Sequence, residues 1–372
     1  MKIAFVSTIL AYPWGGADTL WTRAAEAAQE RGDSLLLAVT ASVAAHPRVR
    51  RLVEGGALLF VRPTPPAWPT RAQRLTRRLR RLLRPADPLA EALRRFGPDL
   101  AVFSCGGTYD LLLETPACEA LCDAGARYRV VANWQSEHPH LDEPNRAEVT
   151  RRLEGADALF FVSGRNLAVT RRHLLAALPR ARVVHNPLRW TTADATPWPR
   201  GEPWGLATVC RLDPGKGVHW LLHAAAEALG GEPGWRLDVF GRGPAEEYWK
   251  ATAAHLGLAQ RTRFRGYVPR LADLWAENHL MISPAVDDGV PMTIPEAMLC
   301  ARPVFATAVG GAEDWLAGGG GFLCPAPTVP LLAAGLRQAW DLRGEWEAMG
   351  RTAAERARAF YRPDDYLQLI AP

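Results

Sequence analysis

Met281–Gly311, MISPAVDDGVPMTIPEAMLCARPVFATAVGG, is the stretch whose reading settles the rest of the chain. It opens as an apolar strand, breaks at Ser283-Pro284 and passes through an acidic loop rich in Gly and Pro. A helical run then starts near Pro291 and carries Glu296, and a second strand follows from Pro303 to Thr307. A helix that begins on a loop at the carboxyl edge of a parallel sheet turns its unpaired N–H groups toward whatever binds there. Asp288 is expected just ahead of that helix, with Glu296 about two turns along it. Carboxylates in these places can accept hydrogen bonds from a hydroxyl-rich ligand.

The neighbouring sequence extends the pattern. Trp204 begins a new strand, Gly205 to Cys210, that runs into Arg211-Leu212-Asp213-Pro214-Gly215-Lys216-Gly217 and then a helix from about Val218. A guanidinium and an ammonium five residues apart flank a glycine turn at a helix start, which suits neutralisation of a diphosphate. The loop is not a Walker A sequence, because G-x4-G-K-[ST] is absent. A further strand ends at the glycine turn of Gly241, and another ends at Arg263-Phe264-Arg265-Gly266-Tyr267-Val268.

Asp288-Gly289-Val290-Pro291, Pro295-Glu296-Ala297-Met298, Arg302-Pro303-Val304, Val309-Gly310-Gly311-Ala312-Glu313 and the R-L-x-x-x-K-G loop together resemble the retaining GT-B glycosyltransferases, in particular the large family 4 group. The resemblance covers essentially the whole chain and is strongest from Ala207 to Pro325. It departs in one place: the first acid of the Glu-x7-Glu pair is Asp288. It implies an α/β fold of two Rossmann-like doubly wound domains facing a central cleft. The first domain, residues 1–187, would take the acceptor, with a C-terminal helix of about residues 360–372 packing back on it. The second, residues 188–359, would take the nucleotide-sugar.

The implied activity is metal-independent transfer of a hexose-type sugar, with retention, from a UDP- or GDP-linked donor to an acceptor hydroxyl. No cofactor is implied beyond the donor substrate itself, and no metal site. Arg211 and Lys216 would stabilise the leaving diphosphate. Glu296 would hold the ribose, while Asp288 with the Gly289 and Val290 N–H groups, next to Pro291, would hold the sugar. Gly241 would border the nucleotide, and Tyr267 and Val268 are candidates at the base, where either could equally belong to the core. Two other readings remain: a non-catalytic nucleotide-sugar-binding or scaffolding partner, supported by the shortened acid, and a sugar-nucleotide epimerase on the same fold.

The first half of the chain is less explicit. Lys2–Thr8 reads as a buried parallel strand, followed by Trp14-Gly15-Gly16-Ala17-Asp18 and a helix from about Thr19 to Arg31. Adjacent glycines between strand and helix let the backbone approach a phosphate, although a tight turn alone would also need them. In the resembled family this pair lies against the donor's diphosphate and the incoming acceptor, which places Gly15, Gly16 and Trp14 at the site. The full G-x-G-x-x-G dinucleotide fingerprint is missing. Further strands are expected at Ser34–Thr40, Ala57–Val61, Asp99–Ser104, Arg129–Asn133 and Ala158–Val162.

After the strand ending at Asn133, the loop Trp134-Gln135-Ser136-Glu137-His138 occupies the place where the resembled family often has a histidine near the anomeric centre. That role falls to His138, with Glu137 and Asn133 beside it on the acceptor side. His173, His185, His219 and His255 have no such context. The acceptor is expected to be a glycan, a lipid-linked sugar or a small molecule, and the fourteen tryptophans are a possible source of acceptor contacts.

Composition sets the outer limits. A chain of 372 residues suggests two domains, and 48% hydrophobic with 22% charged residues is ordinary for a soluble globular protein. The six cysteines are scattered, and Cys118-x3-Cys122 lacks a second pair at zinc spacing, so free thiols in a reducing compartment are expected. The opening MKIAFVST is too short for a leader's apolar region and no run reaches membrane-spanning length, which gives a cytoplasmic expectation. Seven of the fourteen residues Arg71–Arg84 are arginine, with Leu75, Leu79, Leu82 and Leu83 at helical spacing. Such a segment can lie on the anionic inner face of a membrane, hold a phosphate-bearing acceptor, or be a solvated helix face. No base-reading motif accompanies it, so nucleic acid is not an expected partner.

Overall fold

The computed structural model describes residues 1–9, 14–63, 87–138, 141–189 and 196–372; the arginine-rich stretch Arg71–Arg84 lies outside them. The chain divides into two compact units. The first comprises Met1–Val162, Asn166–Pro187 and Pro363–Pro372; the second comprises Ser163–Arg165 and Leu188–Arg362.

The first unit is built on a seven-stranded parallel sheet in the order β3-β2-β1-β4-β5-β6-β7. Its strands are β1 (Lys2–Ser7), β2 (Ser34–Thr40), β3 (Leu58–Arg62), β4 (Leu100–Gly107), β5 (Arg127–Trp134), β6 (Ala158–Phe161) and β7 (Ala181–Val183). Ile3, Ala4, Phe5 and Val6 are all but inaccessible, as a strand covered on both faces requires. They sit in register with Leu35–Ala38 of β2 on one side and Leu100–Phe103 of β4 on the other. β3, at the edge, leaves Leu58, Leu59 and Val61 exposed. The final element is a short 3₁₀ helix, Asp365–Leu369, rather than the α-helix expected there. Asp365 accepts the His185 N–H at 2.8 Å, and Arg129 donates to the Gln368 carbonyl at 3.0 Å.

The second unit repeats the plan with six parallel strands in the order β10-β9-β8-β11-β12-β13. These are β8 (Trp204–Val209), β9 (Trp235–Phe240), β10 (Thr262–Gly266), β11 (Leu280–Ser283), β12 (Val304–Thr307) and β13 (Gly321–Cys324). Side-chain alternation divides its core into two. Leu206, Leu280, Ile282 and Phe305 join the layer containing Trp249 and Trp346, while Ala207, Met281, Val304 and Ala306 join the layer containing Trp275 and Trp315. Among the described residues, seven tryptophans are therefore core. Trp21, Trp235, Trp249, Trp275, Trp315, Trp340 and Trp346 are all buried, which removes them as acceptor contacts.

Arg302 is 1% exposed. It donates to the backbone carbonyls of Trp275 (2.6 Å), Pro197 (2.7 Å), Cys300 (2.8 Å), Asn278 (2.9 Å) and Ala301 (3.4 Å), and its guanidinium lies over Trp198. Burial pushes it down to about 10. One side chain thus ties the irregular segment leading into β8 to the turn before β11.

In both sheets the strand order reverses direction once, between β1 and β4 and between β8 and β11. The crevice outside the carboxyl ends of two such neighbouring strands is the usual ligand site of open α/β sheets.

Candidate functional site

In the second unit, β8 and β11 are hydrogen-bonded neighbours whose carboxyl ends lead into Cys210–Gly217 and Pro284–Met292. Pro214–Lys216 forms a 3₁₀ turn capped by Gly217 at φ +67°, a conformation only glycine adopts without strain. A Cβ on Gly217 would lie 2.0 Å from the Pro284 carbonyl oxygen, so the two loops touch backbone to backbone. The Gly215 carbonyl accepts the N–H groups of Val286 (3.0 Å) and Asp287 (3.3 Å). On the far side, Thr307 Oγ1 donates to the Ala285 carbonyl at 2.6 Å, and Gly311 N–H donates to the Gly289 carbonyl at 3.0 Å. Gly310, at φ +55°, leaves no room for a Cβ against the Gly289 and Asp288 carbonyls.

This packing brings Lys216 and Asp288, 72 positions apart, into a direct ion pair between Nζ and Oδ2. Their side chains are 22% and 17% exposed. Burial alone would push the Lys216 ammonium down, but the Asp288 carboxylate more than offsets it and holds Lys216 above its usual value. Arg211 has a similar partner: its Nε and Nη2 contact Asp213 Oδ2 at 2.7 and 2.5 Å.

Glu296 is in the first turn of a helix running Thr293–Leu299, not two turns into one that starts at Pro291. Pro291 instead belongs to the turn before it, where its carbonyl accepts the Ile294 N–H at 2.9 Å. Glu296 is 4% exposed, and burial pushes its carboxyl up to about 7 against the opposing charge and backbone N–H of Arg189. Gly241, at φ +128°, packs on the Cys210 carbonyl and donates its N–H to the Gly266 carbonyl at 2.7 Å, which seats that turn beside the Arg211 loop. Tyr267 is 61% exposed whereas Val268 packs on the core, so of the two only Tyr267 is free to stack on a ligand. Val290 likewise contributes to the core, leaving its backbone for the site.

In the first unit, Trp14 stacks flat on His46, with ring centroids 3.3 Å apart. The Gly15 N–H is taken by Asp18 Oδ2 at 3.0 Å, and Asp18 Oδ1 accepts Trp21 Nε1–H at 3.3 Å. Asp18 is buried, which pushes its carboxyl up to about 6 despite these bonds. The helix opening at Gly16 therefore already carries an acid of its own. Asn133 Nδ2 donates to the Cys105 carbonyl (2.8 Å) and Ser104 Oγ (3.2 Å), leaving Oδ1 buried without a partner; Gln135 Oε1 is in the same condition.

Glu137 pairs with Arg172 at 3.0 Å, and His138 is exposed, its N–H donating to Ser136 Oγ at 3.1 Å. The histidine built into this corner is His173. Its Nδ1 meets Tyr109 Oη and its Nε2 meets the Glu137 carbonyl, both at 3.0 Å. Sequence reasoning singled out none of His173, Asp18 and Asp213, which the structure places beside the candidate residues. Asp18 had a legible signal, an acid three residues after a helix-capping glycine. His173 had none, because its partner Tyr109 is 64 positions away.

All six cysteines are free. Among the described residues, no cluster of three or more His, Cys, Asp or Glu could hold a metal, and no helix is long and apolar enough to cross a membrane.

Residues 205–341 match the family of group 1 glycosyl transferases. Among curated proteins, the chain is 29% identical over 255 residues to an exopolysaccharide phosphotransferase of Streptomyces coelicolor, covering 67% of this chain and 26% of that protein. It is 33% identical over 168 residues to a D-inositol 3-phosphate glycosyltransferase of Kribbella flavida (42% and 39%), and 31% identical over 132 residues to a 2-deoxystreptamine N-acetyl-D-glucosaminyltransferase of Streptomyces fradiae (34% and 30%). The chain thus spans well under half the length of these relatives. Among solved structures, Anabaena HepE in complex with UDP superposes with a TM-score of 0.73 at 18% identity, covering 100% of this chain and 98% of that one. The fold is that of the GT-B glycosyltransferases, as the 281–313 stretch led us to expect.

Proposed function

From a chain whose residues 205–341 match the group 1 glycosyl transferases and whose fold is GT-B, we propose an enzyme that moves a hexose-type sugar, with retention, from a nucleoside-diphosphate sugar to an acceptor hydroxyl. The observation that carries this reading is the joint between the Arg211–Gly217 and Pro284–Met292 loops. There, cations suited to a diphosphate and carboxylates suited to sugar and ribose share one sheet edge. Lys216 and Arg211 take the diphosphate and stabilise the charge that builds as the anomeric C–O bond breaks. Glu296 accepts from the ribose hydroxyls, and Tyr267 is the candidate at the base. Asp288, with the Gly289 and Val290 N–H groups, holds the sugar.

No side chain is assigned as nucleophile. The acceptor oxygen bonds to the anomeric carbon on the face the diphosphate leaves, and the acceptor's proton passes to the departing phosphate oxygen. Arg211 and Lys216 supply the positive charge, so the reaction is read as metal-independent.

A UDP-sugar is the first donor to test, since HepE is described in complex with UDP. The acceptor falls to the first unit, where Trp14, Asn133, Glu137 and His138 remain the candidates, with the Gly15–Gly16 loop. Relatives named for inositol phosphate and deoxystreptamine favour a polyhydroxylated ring. Contact of Arg71–Arg84 with an anionic, cytoplasm-facing membrane surface belongs to the same reading, and liposome flotation showing no preference for anionic lipid would remove it.

Calorimetric titration with UDP, GDP, ADP and dTDP, in wild type and Lys216→Ala, tests the core of the proposal. One nucleotide should bind, and the variant should weaken it. Binding of none, or binding indifferent to Lys216, would refute the donor site.

A further inference from the structure

Both cations assigned to the diphosphate are already held by aspartates. Lys216 is paired with Asp288, and Arg211 lies on Asp213 through two nitrogens. Neither contact is incidental to a mobile side chain. Asp213 and Arg211 belong to one short turn, whose Lys216 N–H closes on the Asp213 carbonyl at 3.0 Å, and Asp288 stands on a loop bonded to the Gly215 carbonyl. All four side chains are at least partly withdrawn from solvent, from 17% exposed at Asp288 to 38% at Arg211. At this depth charge pairs are screened less than on an open surface.

We infer that Asp213 and Asp288 are exchangeable internal counter-ions, so that diphosphate binds by displacing carboxylates from Arg211 and Lys216 rather than by filling an uncompensated cationic pocket. The inference rests on the reading of Arg211 and Lys216 as the diphosphate's partners, and it gives Asp213 a role that nothing else assigns. Without ligand, the exchange spares two partly buried cations an unpaired state. With ligand, each phosphate oxygen replaces a carboxylate oxygen on the same nitrogen, and Asp288 is released to accept from the sugar. The two aspartates therefore oppose donor binding while one of them serves the transfer.

The consequence has an unusual sign: neutralising either acid should tighten the ligand. The test is calorimetric titration of the full chain with UDP and with inorganic pyrophosphate, which lacks a base, on wild type, Asp213→Asn and Asp288→Asn. Melting curves run alongside confirm folded protein, and Ser replaces Asn at either position if cooperativity is lost. Each variant should bind both probes at least about threefold more tightly than wild type. That gain should shrink as salt rises from about 0.05 to 0.5 M. Asp288→Asn should combine tighter binding with impaired sugar transfer. Equal or weaker binding by a variant overturns the exchange at that pair. Failure of all three proteins to bind either probe would instead remove the donor site proposed above, and this inference with it.

Discussion

Glu296→Gln should make the protein more stable and worse at binding nucleotide, and the stability gain should depend on pH. Burial raises the Glu296 carboxyl from the ordinary 4.5 to about 7 in the folded chain. Between those values the folded state holds a proton that the unfolded state has released, so stability falls as pH climbs through the window. At about 1.4 kcal/mol per pH unit, the full loss by pH 8 is about 3 kcal/mol. Glutamine fills the same space and stays neutral. The difference between variant and wild type in urea denaturation should therefore be near zero at pH 4.5 and approach about 3 kcal/mol at pH 8. UDP affinity should fall, because an amide is a weaker acceptor for hydroxyl donors than a carboxylate. A stability difference that is flat with pH, or one that grows toward acid, would refute the assignment of a strained, buried acid.

Lys216→Ala should cut turnover by about a hundredfold or more while the fold survives, as measured by release of nucleoside diphosphate once donor and acceptor are identified. Gly217→Ala places a methyl against the Pro284 carbonyl in a left-handed conformation. The conformation alone costs about 1–2 kcal/mol and the contact adds to it, so both Tm and nucleotide affinity should drop; affinity unchanged would mean the two loops need not touch. Arg302→Met takes a donor from five backbone carbonyls and should destabilise the second unit by about 3 kcal/mol or more, read by urea denaturation followed through tryptophan fluorescence.

Much of the architecture could be read from the sequence because parallel strands covered on both faces are written as unbroken apolar runs, such as Ile3–Val6 and Leu280–Ile282. The acid loop was legible too, since its glycines, prolines and carboxylates are contiguous. What could not be read is which loops meet. The Lys216–Asp288 pair depends on β8 lying beside β11, a matter of sheet order rather than local pattern. The position of Glu296 shifted by a turn because Pro291 closes a tight bend ahead of the helix instead of opening it. The tryptophans could not be sorted for a related reason: composition counts indoles but cannot say that Trp249 and Trp346 line the same core layer.

The acid loop is anchored mostly through its backbone carbonyls, with the Thr307 hydroxyl as one side-chain partner. Its position is fixed by the Gly215, Ala285 and Gly289 carbonyls and by the space that glycine leaves at 217 and 310. The carboxylate at 288, paired with Lys216, is a party to none of these backbone contacts. Address and cargo are thus encoded separately: a lineage can shorten, lengthen or neutralise the acid without losing the place where it is displayed. That separation explains how an aspartate can occupy a position where the resembled family has a glutamate. It also makes residue 288 a natural first position to vary when altering which sugar the site accepts.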